Sequence, residues 1–409
     1  MSSVKGDAVT VSGDSRPNDI REGREGLPGW TYTNAELFDL ECDTLFRRHW
    51  QIVGHVNDIP ETGDYLTLDL VGERALVVRD RKGNINAFHN LCRHRASRVV
   101  AGERGNCPGV ITCPFHAWSY ELDGRLRGAA QAATFPALDK DEWGLKPIEM
   151  EIWHGLIFVR FQEGPQPSVA ELFAEHEAEV SPYLLDDMVP DGNGIYLTDP
   201  IDINWKSSRD VDNEGYHVAM AHPGLHDLYG QNYVDEAGVG DVSRSIGHFN
   251  TAPPRLWSVK NYRKMVDALD APWSALPNSW VYMGLYPNTV VAIYPDSVIF
   301  YQDIPRGVLS SSVRGGVYRR REESRALKAA RYLSGRIDNT TIEEDLMLMV
   351  WSQEAVYSSG YDGIILSDLE RGVRAYHDRL RQDLPVLNDG EAPQAGTIHD
   401  RNADLLKGG

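Results

Sequence analysis

Two pairs of metal-ligating residues lie close together in the first third of the chain. Cys92 and His94 are two residues apart, and Cys113 and His116 are three residues apart after an interval of eighteen residues. Each pair joins a soft thiolate to an imidazole, and together the pairs supply the four ligands that a buried metal centre needs. The sequence therefore predicts metal or redox chemistry in this segment.

Three interpretations of these pairs remain open from the residues alone. Zinc accepts two cysteines and two histidines, but its sites usually pair like with like along the chain. A [2Fe–2S] cluster suits mixed pairs better, because each loop then gives a cysteine to one iron and a histidine to the other. Such ligation raises the reduction potential to about −150 to +300 mV, from about −400 mV with four cysteines. The third interpretation is two unrelated Cys–His pairs in a β core.

A second group of candidate ligands follows in the middle of the chain. His217 and His222 are five residues apart, which on a straight helix separates them by about 140° around the axis. They can share a metal only if the helix is distorted or ends between them, and residues 223–224 (Pro-Gly) supply an end. His226 is the rival partner, but the same Pro-Gly interrupts its helical register with His222. Two imidazoles and a carboxylate leave open positions at Fe(II), where oxygen binds next to a substrate.

The motif Cys-Arg-His-Arg…Cys-Pro-Phe-His-Ala-Trp resembles the cluster signature of the Rieske non-haem iron oxygenases. The family commonly spaces the two arms slightly closer, and it usually has Tyr and Gly where this chain has Phe115 and Ala117. The resemblance extends over about residues 35–385. It implies a [2Fe–2S] Rieske cluster and a mononuclear Fe(II), held respectively by Cys92, His94, Cys113 and His116 and by His217 and His222.

The resemblance also implies roles for two acids. The family carries its carboxylate ligand on a late helix, in an acidic pair followed eight residues later by Gln, and residues 344–345 and Gln353 match that pattern. Asp345 is then the third iron ligand, although stabilisation by a helix dipole would by itself explain an acid there. In the family an acid three residues before the first histidine connects the two centres across a subunit boundary. Glu214 holds that position, between His116 and His217, although a surface acid is the simpler interpretation.

The elements that must position these residues suggest an α+β fold. Period-two alternation over residues 66–70 and further short strands up to residue 161 predict a small antiparallel all-β domain, which the resemblance implies is the Rieske domain. Mixed signals after it predict an α+β domain. The resemblance implies that this is the catalytic domain, with an antiparallel sheet and helices in a helix-grip-like arrangement. The expected organisation is a polar N-terminal segment (1–34), a helix (35–50), the Rieske domain (51–162), the catalytic domain (163–388) and a loose C-terminal tail (389–409).

Within the catalytic domain we predict a helix over residues 207–221 and strands over 257–262, 281–286, 289–294, 298–304 and 312–318. Two helices, over 322–337 and 342–358, are expected to close the fold. They are separated because Thr340 and Thr341 each precede a glutamate by three residues, the signature of a capping box.

Composition excludes several classes of function. The 409 residues are 42% hydrophobic and carry a net charge of −19, which disfavours nucleic acid and anionic lipid as partners. No apolar run reaches the roughly 20 residues that span a bilayer, and residues 1–23 lack the apolar segment of a signal peptide, so a cytoplasmic protein is expected.

Cys42 and Cys107 are interpreted as buried spectators. A basic group near the cluster, Arg93, Arg95, Arg98 and Arg104, is either a solvated edge or a docking patch for an acidic electron donor.

The resemblance implies the terminal oxygenase of a multicomponent system, assembled as a homotrimer. Electrons would come from NAD(P)H through a separate reductase or ferredoxin, since the chain has no Gly-rich dinucleotide fingerprint. O₂ would hydroxylate a small aromatic or otherwise hydrophobic substrate, because the pocket is expected to be rich in Tyr, Met, Val and Trp. Monooxygenation or oxidative N- or O-dealkylation is favoured over ring cis-dihydroxylation. A Rieske electron carrier without oxygenase activity and a zinc-stabilised interaction protein are the alternatives from other classes.

Overall fold

The computed structural model describes residues 23–408, apart from the side chains of residues 193 and 237–239. Most of the predicted polar segment 1–34, and nearly all of the stretch interpreted as lacking a signal peptide, lie outside the described residues. In the part that is described, no helix is long and apolar enough to cross a bilayer.

The first half of the described chain forms three antiparallel sheets. Its strands are β1 (Gln51–His55), β2 (Asp64–Leu70), β3 (Glu73–Arg79), β4 (Ile85–His89), β5 (Arg104–Asn106), β6 (Ile111–Thr112), β7 (Ser119–Tyr120), β8 (Leu126–Gly128), β9 (Glu149–Trp153) and β10 (Leu156–Arg160). Their orders are β1-β10-β9, β4-β3-β2-β5 and β6-β7-β8. This arrangement confirms the predicted small all-β domain.

The second half is built on one antiparallel sheet of seven strands in the order β11-β17-β16-β15-β14-β13-β12. The strands are β11 (Val189–Leu197), β12 (Tyr233–Val239), β13 (Val242–His248), β14 (Ser279–Leu285), β15 (Thr289–Ile293), β16 (Val298–Gly307) and β17 (Ser310–Arg319). The α+β prediction is confirmed, although the sequence did not indicate β12 and β13.

The helices are short except for one in the second half. They are α1 (Ala35–Glu41), α2 (Val169–Leu172), α3 (Glu177–Val180), α4 (Trp205–Asp212), α5 (Val218–Ala221), α6 (Pro223–Tyr229), α7 (Trp257–Val266), α8 (Arg325–Ala355), α9 (Arg371–Asp383) and α10 (Ile398–Gly408). The predicted N-terminal helix corresponds to α1 and a π-helical turn, Cys42–Phe46, that continues it.

The seven-stranded sheet has two different faces, because side chains along a strand alternate between them. Val281 and Met283 of β14 belong to a large core that also contains Ile52 of β1. Trp280, directly before Val281 in the strand, points to the other face and packs in a core with α7 and α8. The sheet therefore separates the core shared with the all-β domain from the layer that contains α7 and α8.

The prediction of two closing helices is wrong, since α8 runs without interruption through residues 338–341. The hydroxyls of Thr340 and Thr341 donate to the carbonyls of Arg336 and Ile337, at 3.0 and 3.1 Å. Each threonine thus bonds one turn back inside a helix instead of capping a new one.

Two further predictions are wrong. Residues 257–262 form the start of α7, because Val259, Tyr262 and Val266 follow a spacing of three and four residues and make one buried helical face. The C-terminal tail is not loose, since it contains α10. Glu36 of α1 accepts hydrogen bonds from the backbone N–H groups of Gly396 and Ile398, both at 2.8 Å, and this holds the start of α10 in place.

A buried ion pair joins α1 to α4. Glu41 and Lys206 are both fully inaccessible, and Glu41 Oε1 lies 2.5 Å from Lys206 Nζ. The other carboxylate oxygen accepts a hydrogen bond from Trp205 Nε1 at 2.8 Å. The Lys206 ammonium also lies 5.3 Å from the centroid of the Trp205 ring. Each buried charge has the other as its counter-charge, so neither tolerates the loss of its partner.

Glu41→Gln is expected to destabilise the protein by about 3–5 kcal/mol, because it leaves the Lys206 ammonium buried without a counter-charge. Thermal and denaturant unfolding measure the change. Asp404→Asn removes the carboxylate of an exposed ion pair with Lys407 and should change stability by about 1 kcal/mol or less. Similar small effects of both substitutions would contradict the prediction.

Candidate active site

The two cysteine–histidine loops adopt similar backbone conformations. Cys92 and His94 lie in the loop between β4 and β5, and Cys113 and His116 lie in the loop between β6 and β7. In each loop the cysteine carbonyl accepts a hydrogen bond from an N–H four residues later, Ala96 at 2.9 Å and Ala117 at 3.0 Å. Both alanines are left-handed, with φ of 59° and 54°. Glycine adopts that conformation most readily, which explains why the family that the motif resembles usually has a glycine where this chain has Ala117.

The four predicted cluster ligands converge at the tips of these loops. The rings of His94 and His116 are 4.7 Å apart, and both cysteines are buried. Nδ1 of each histidine is buried and has no hydrogen-bond partner among the described residues. Burial raises the pKa of the Cys92 thiol, so a thiolate here needs a metal cation to stabilise it. Two unpartnered imidazole nitrogens beside two buried thiols fit a [2Fe–2S] cluster.

The surroundings of the cluster loops are partly as expected. The Trp118 ring stacks on His94 at 5.2 Å, and Cys107 is buried in the same core. Among the arginines, Arg98 pairs with Asp69 at 2.5 Å and Arg93 lies over the ring of Trp143 at 5.3 Å. A docking patch for an electron donor therefore stays a prediction.

The helix predicted over residues 207–221 is broken at the second candidate site. α4 ends at Asp212, His217 directly precedes α5 and His222 directly follows it. His222 has φ of −118° and ψ of 82°, so it leaves the helical conformation before Pro223 begins α6. These breaks bring the two imidazoles together, with their Nε2 atoms 3.0 Å apart.

Asp345 of α8 completes a group of three potential ligands. Its Oδ1 lies 2.9 Å from Nε2 of His222 and 3.5 Å from Nε2 of His217. The three ligand atoms all lie within 4.8 Å of one another, and His226 is not a member of the group. The structure thus brings together the three side chains that the sequence selected for the mononuclear iron.

Two glutamates contact the outer nitrogens of the histidines. Glu214 lies within hydrogen-bond distance of Nδ1 of His217, and Glu344 Oε2 lies 2.8 Å from Nδ1 of His222. A carboxylate on Nδ1 fixes the ring and directs Nε2 toward the centre of the site. The sequence analysis named Glu344 only as part of the acidic pair beside Asp345. It did not predict the contact with His222, because residues 122 positions apart leave no local pattern.

The charges of the site favour a bound cation. Burial opposes a charged imidazole, but the carboxylates of Asp345 and Glu214 outweigh it and raise the pKa of His217 to about 10. Burial also opposes ionisation of Asp345, yet the two histidines lower its pKa. In the described ranges, no Lys or Arg forms an ion pair with Glu214, Glu344 or Asp345. Two imidazole nitrogens and one carboxylate on a negative background are the donors that non-haem Fe(II) takes, so the residues fit the metal.

Gln353, the other half of the late-helix pattern, connects α8 to α4. Its side-chain oxygen accepts hydrogen bonds from the backbone N–H of Asn204 at 2.8 Å and from the hydroxyl of Ser207 at 3.2 Å. Gln353 is buried, and both partners lie at the start of α4. This contact fixes the helix that carries Asp345 against the segment that leads to the histidines.

The side chains that the sheet presents to the helices are more polar than expected. Tyr282 and Tyr301 lie on the helix side of β14 and β16 and pack against the core of that side. The Tyr301 hydroxyl donates to Asp212 at 2.5 Å. Met283 and Val291, of the residue types expected at the pocket, belong to the core on the opposite face. Because side chains alternate along a strand, Tyr282 and Tyr301 face the helices while Met283 and Val291 face the opposite core.

Two family models match the chain, in the order in which the two sites occur. The model of the Rieske [2Fe-2S] domain matches residues 49–139, and that of the ring hydroxylating alpha subunit (catalytic domain) matches residues 173–385. A crystal structure of a quaternary ammonium Rieske monooxygenase with a bound inhibitor aligns with a TM-score of 0.74 at 21% identity, over 91% of this chain and 99% of that chain. These matches confirm the predicted fold class and agree with the predicted cofactors, a Rieske cluster and a mononuclear iron.

Curated relatives match about half of the sequence. The glycine betaine monooxygenase oxygenase subunit of Pseudomonas aeruginosa is 36% identical over 207 residues, which are 50% of this chain and 46% of the relative. The carnitine monooxygenase oxygenase subunit of Escherichia coli is 31% identical over 207 residues, 49% of this chain and 53% of the relative. The chain thus spans about half the length of these relatives. Since the catalytic-domain model alone covers half of the chain, the chain belongs to the family of Rieske-type ring-hydroxylating oxygenase alpha subunits.

Proposed function

We propose that this chain is the terminal oxygenase component of a multicomponent Rieske system. It uses O₂, and electrons from NAD(P)H delivered by a separate reductase or ferredoxin, to monooxygenate a small organic substrate by hydroxylation or oxidative N- or O-dealkylation. The observation that carries the proposal is the convergence of His217, His222 and Asp345, on a chain that also contains the two cysteine–histidine loops.

Each group of residues has a distinct task. Cys92, His94, Cys113 and His116 hold the cluster, and His217, His222 and Asp345 hold Fe(II). When bound, the cluster supplies single electrons and the iron activates O₂. In the net reaction one oxygen atom enters a C–H bond of the substrate, and the other leaves as water with two electrons and two protons. A hydroxylated N-methyl or O-methyl carbon then departs as formaldehyde.

Glu214 has a second task beyond orienting His217. We infer that its carboxylate connects the imidazole of His217 to His116 of a neighbouring chain, which provides a short hydrogen-bonded path for electrons. Among the described residues of one chain, His116 forms no hydrogen bond with Glu214, and His116 remains partly exposed. A neighbouring copy can therefore reach both ends of the path, and a homotrimer is the proposed assembly.

Exposed apolar side chains around both ends of this path support an assembly. Phe115, next to His116, is 52% exposed, and Tyr216, next to His217, is 57% exposed. Met220 of α5 and Trp351 of α8 are 89% and 57% exposed. Large apolar side chains that cluster at a surface usually mark an interface with another protein. Their position beside His116 and His217 is what a contact between copies requires.

Product analysis tests the proposed reaction. The protein loaded with iron and sulfide is reduced, given ¹⁸O₂ and offered aromatic, N-alkyl, O-alkyl and quaternary ammonium compounds. We expect one labelled oxygen atom in a stable hydroxylated product, with formaldehyde from N-methyl and O-methyl compounds. A product with two labelled atoms in a cis-diol would identify a dihydroxylating enzyme. No O₂-dependent product from any compound, with both metal centres occupied, would overturn the proposal.

The same preparation separates the two alternatives from other classes. An electron carrier would show the electron paramagnetic resonance signal of a reduced Rieske cluster but would bind no further iron. A zinc-stabilised interaction protein would be colourless and would contain no acid-labile sulfide. Iron, zinc and sulfide analysis of the purified protein decides among the three.

A further inference from the structure

An acid without a cationic partner lies in the interior of the catalytic domain. Asp338 is on α8, seven residues before Asp345, so the two carboxylates share one helix face and lie about 10 Å apart along the axis. The Tyr294 hydroxyl donates a hydrogen bond to Asp338 at 3.2 Å. In the part of the chain that the structure describes, no Lys, Arg or His pairs with Asp338, whose electrostatic neighbours are Tyr294 and Asp296. The described residues therefore supply no counter-charge for this carboxylate.

Aromatic rings surround Asp338. Tyr294 stacks on Trp280 with ring centroids 3.9 Å apart. The hydroxyls of Tyr294 and Tyr282 are 3.4 Å apart, and those of Tyr282 and Tyr229 are 2.9 Å apart. The negative faces of such rings attract organic cations. Asp338 and Tyr282 also keep partial exposure.

These tyrosines lie between Asp338 and the segment that leads to the iron ligands. Tyr282 interacts electrostatically with both Asp338 and Asp212, and Asp212 is two residues before Glu214. Asp212 has its own counter-charge, since its carboxylate lies 2.9 Å from the guanidinium of Arg209. A ligand that contacts Asp338 and the rings thus has a positive group bound at one end and can extend toward the histidines at the other.

We propose that Asp338 determines substrate specificity by binding a quaternary or alkylated ammonium group of the substrate against the rings of Tyr282 and Tyr294. This inference rests on the proposed function, whose substrate it narrows to organic cations. An ammonium group supplies the counter-charge that the ionised form of Asp338 lacks, whereas a neutral aromatic substrate supplies none and favours the protonated acid. Glycine betaine and carnitine, after which two relatives are named, both carry a trimethylammonium group.

The protonation of Asp338 gives the site a pH dependence. Burial raises the pKa of Asp338 to about 8. The titratable groups that face it are Tyr294 and Asp296 at the end of β15, Tyr282 of β14, Tyr229 of α6, Tyr262 of α7 and Tyr196 of β11. The pKa of each tyrosine is raised above its usual 10, so these phenols stay neutral below pH 9. A permanently charged ligand must displace a proton from Asp338 below pH 8, so its affinity should rise about tenfold per pH unit from pH 6 to 8 and then level off.

Calorimetric titration of the anaerobic holoenzyme tests the inference. The ligands are tetramethylammonium, glycine betaine and 3,3-dimethylbutanoate, which is the carbon isostere of glycine betaine without the positive charge. Asp338→Asn should weaken tetramethylammonium binding by at least about 30-fold and remove its pH dependence. Glu322→Gln, which neutralises an exposed acid just before α8, should bind like the unmodified protein.

A second variant keeps the test decisive if Asp338→Asn fails to fold. Tyr294→Phe retains the ring but removes the hydroxyl that stabilises the Asp338 carboxylate, so the pH of half-maximal tetramethylammonium binding should move upward. An unchanged midpoint there, unchanged tetramethylammonium affinity in folded Asp338→Asn, or tighter binding of 3,3-dimethylbutanoate than of glycine betaine would each overturn the inference.

The titration needs neither O₂ nor electrons, so it is independent of the proposed reaction. Binding of tetramethylammonium without any O₂-dependent product would refute the function and leave the cation site standing. O₂-dependent products, together with unchanged tetramethylammonium affinity in folded Asp338→Asn, would refute the cation site and leave the function standing.

Discussion

Asp345→Ala is expected to abolish O₂-dependent turnover and to remove the mononuclear iron while the cluster remains. The substitution deletes one of three ligands and leaves two imidazoles that the remaining carboxylates, Glu214 and Glu344, can only orient. Loss of an outer hydrogen-bond partner alone costs about 10- to 100-fold in metal affinity, so loss of a ligand should cost more than about 100-fold. Iron content after mild chelation measures the effect, and the absorption and electron paramagnetic resonance spectra report on the cluster.

Glu343→Ala is the matched control, because Glu343 is an exposed acid on the same helix, two residues before Asp345. It should retain iron and turnover. If Asp345→Ala keeps its mononuclear iron after chelation, a different acid is the ligand. If Asp345→Ala loses the cluster as well, the substitution has disturbed the fold. The experiment is then repeated with Asp345→Asn, which preserves the shape of the side chain.

The cluster ligands could be predicted from the sequence because each pair occupies one short loop. Cys92 and His94, and likewise Cys113 and His116, are held by the turn that forms around them, so their spacing already encodes their geometry. The strands of the first domain were predictable for a similar reason, since alternation along a strand directly reflects which side chains are buried. Short-range turn and strand geometry therefore determines the cluster loops and the strands that carry them.

The iron site depends on contacts between distant segments, and here the sequence was less informative. The Pro-Gly at residues 223–224 correctly indicated that a helix ends just before it, at Ala221, but nothing indicated the gap between α4 and α5. Thr340 and Thr341 suggested a helix start, yet the packing of α8 against the sheet and α7 favours a continuous helix. Asp345 was therefore selected by resemblance. Glu344 and Asp338 acquire their partners only when α8 packs against α5, α6 and β15.

Glu214→Gln is expected to leave both metal centres occupied and to slow electron transfer between them by about 100-fold or more. The amide keeps the size of the carboxylate and can still accept a hydrogen bond from Nδ1 of His217, so the iron site should survive. What it loses is the negative charge that allows one side chain to accept from two imidazoles, His217 and His116 of a neighbouring chain. Stopped-flow mixing of the reduced protein with O₂ and substrate measures the rate at which the cluster is oxidised.

Glu344→Gln is the internal control for this experiment, since Glu344 contacts His222 in the same way but has no place on the path. It should lower iron affinity by about 10- to 100-fold and, once saturated with iron, transfer electrons normally. Equal rates in Glu214→Gln and Glu344→Gln would refute the bridge. Coexpression of His116→Ala with Glu214→Gln then tests whether the path crosses between chains. Each variant alone should turn over slowly or not at all. Mixed oligomers should recover turnover only if an intact cluster in one chain can reduce an iron bound beside an intact Glu214 in another.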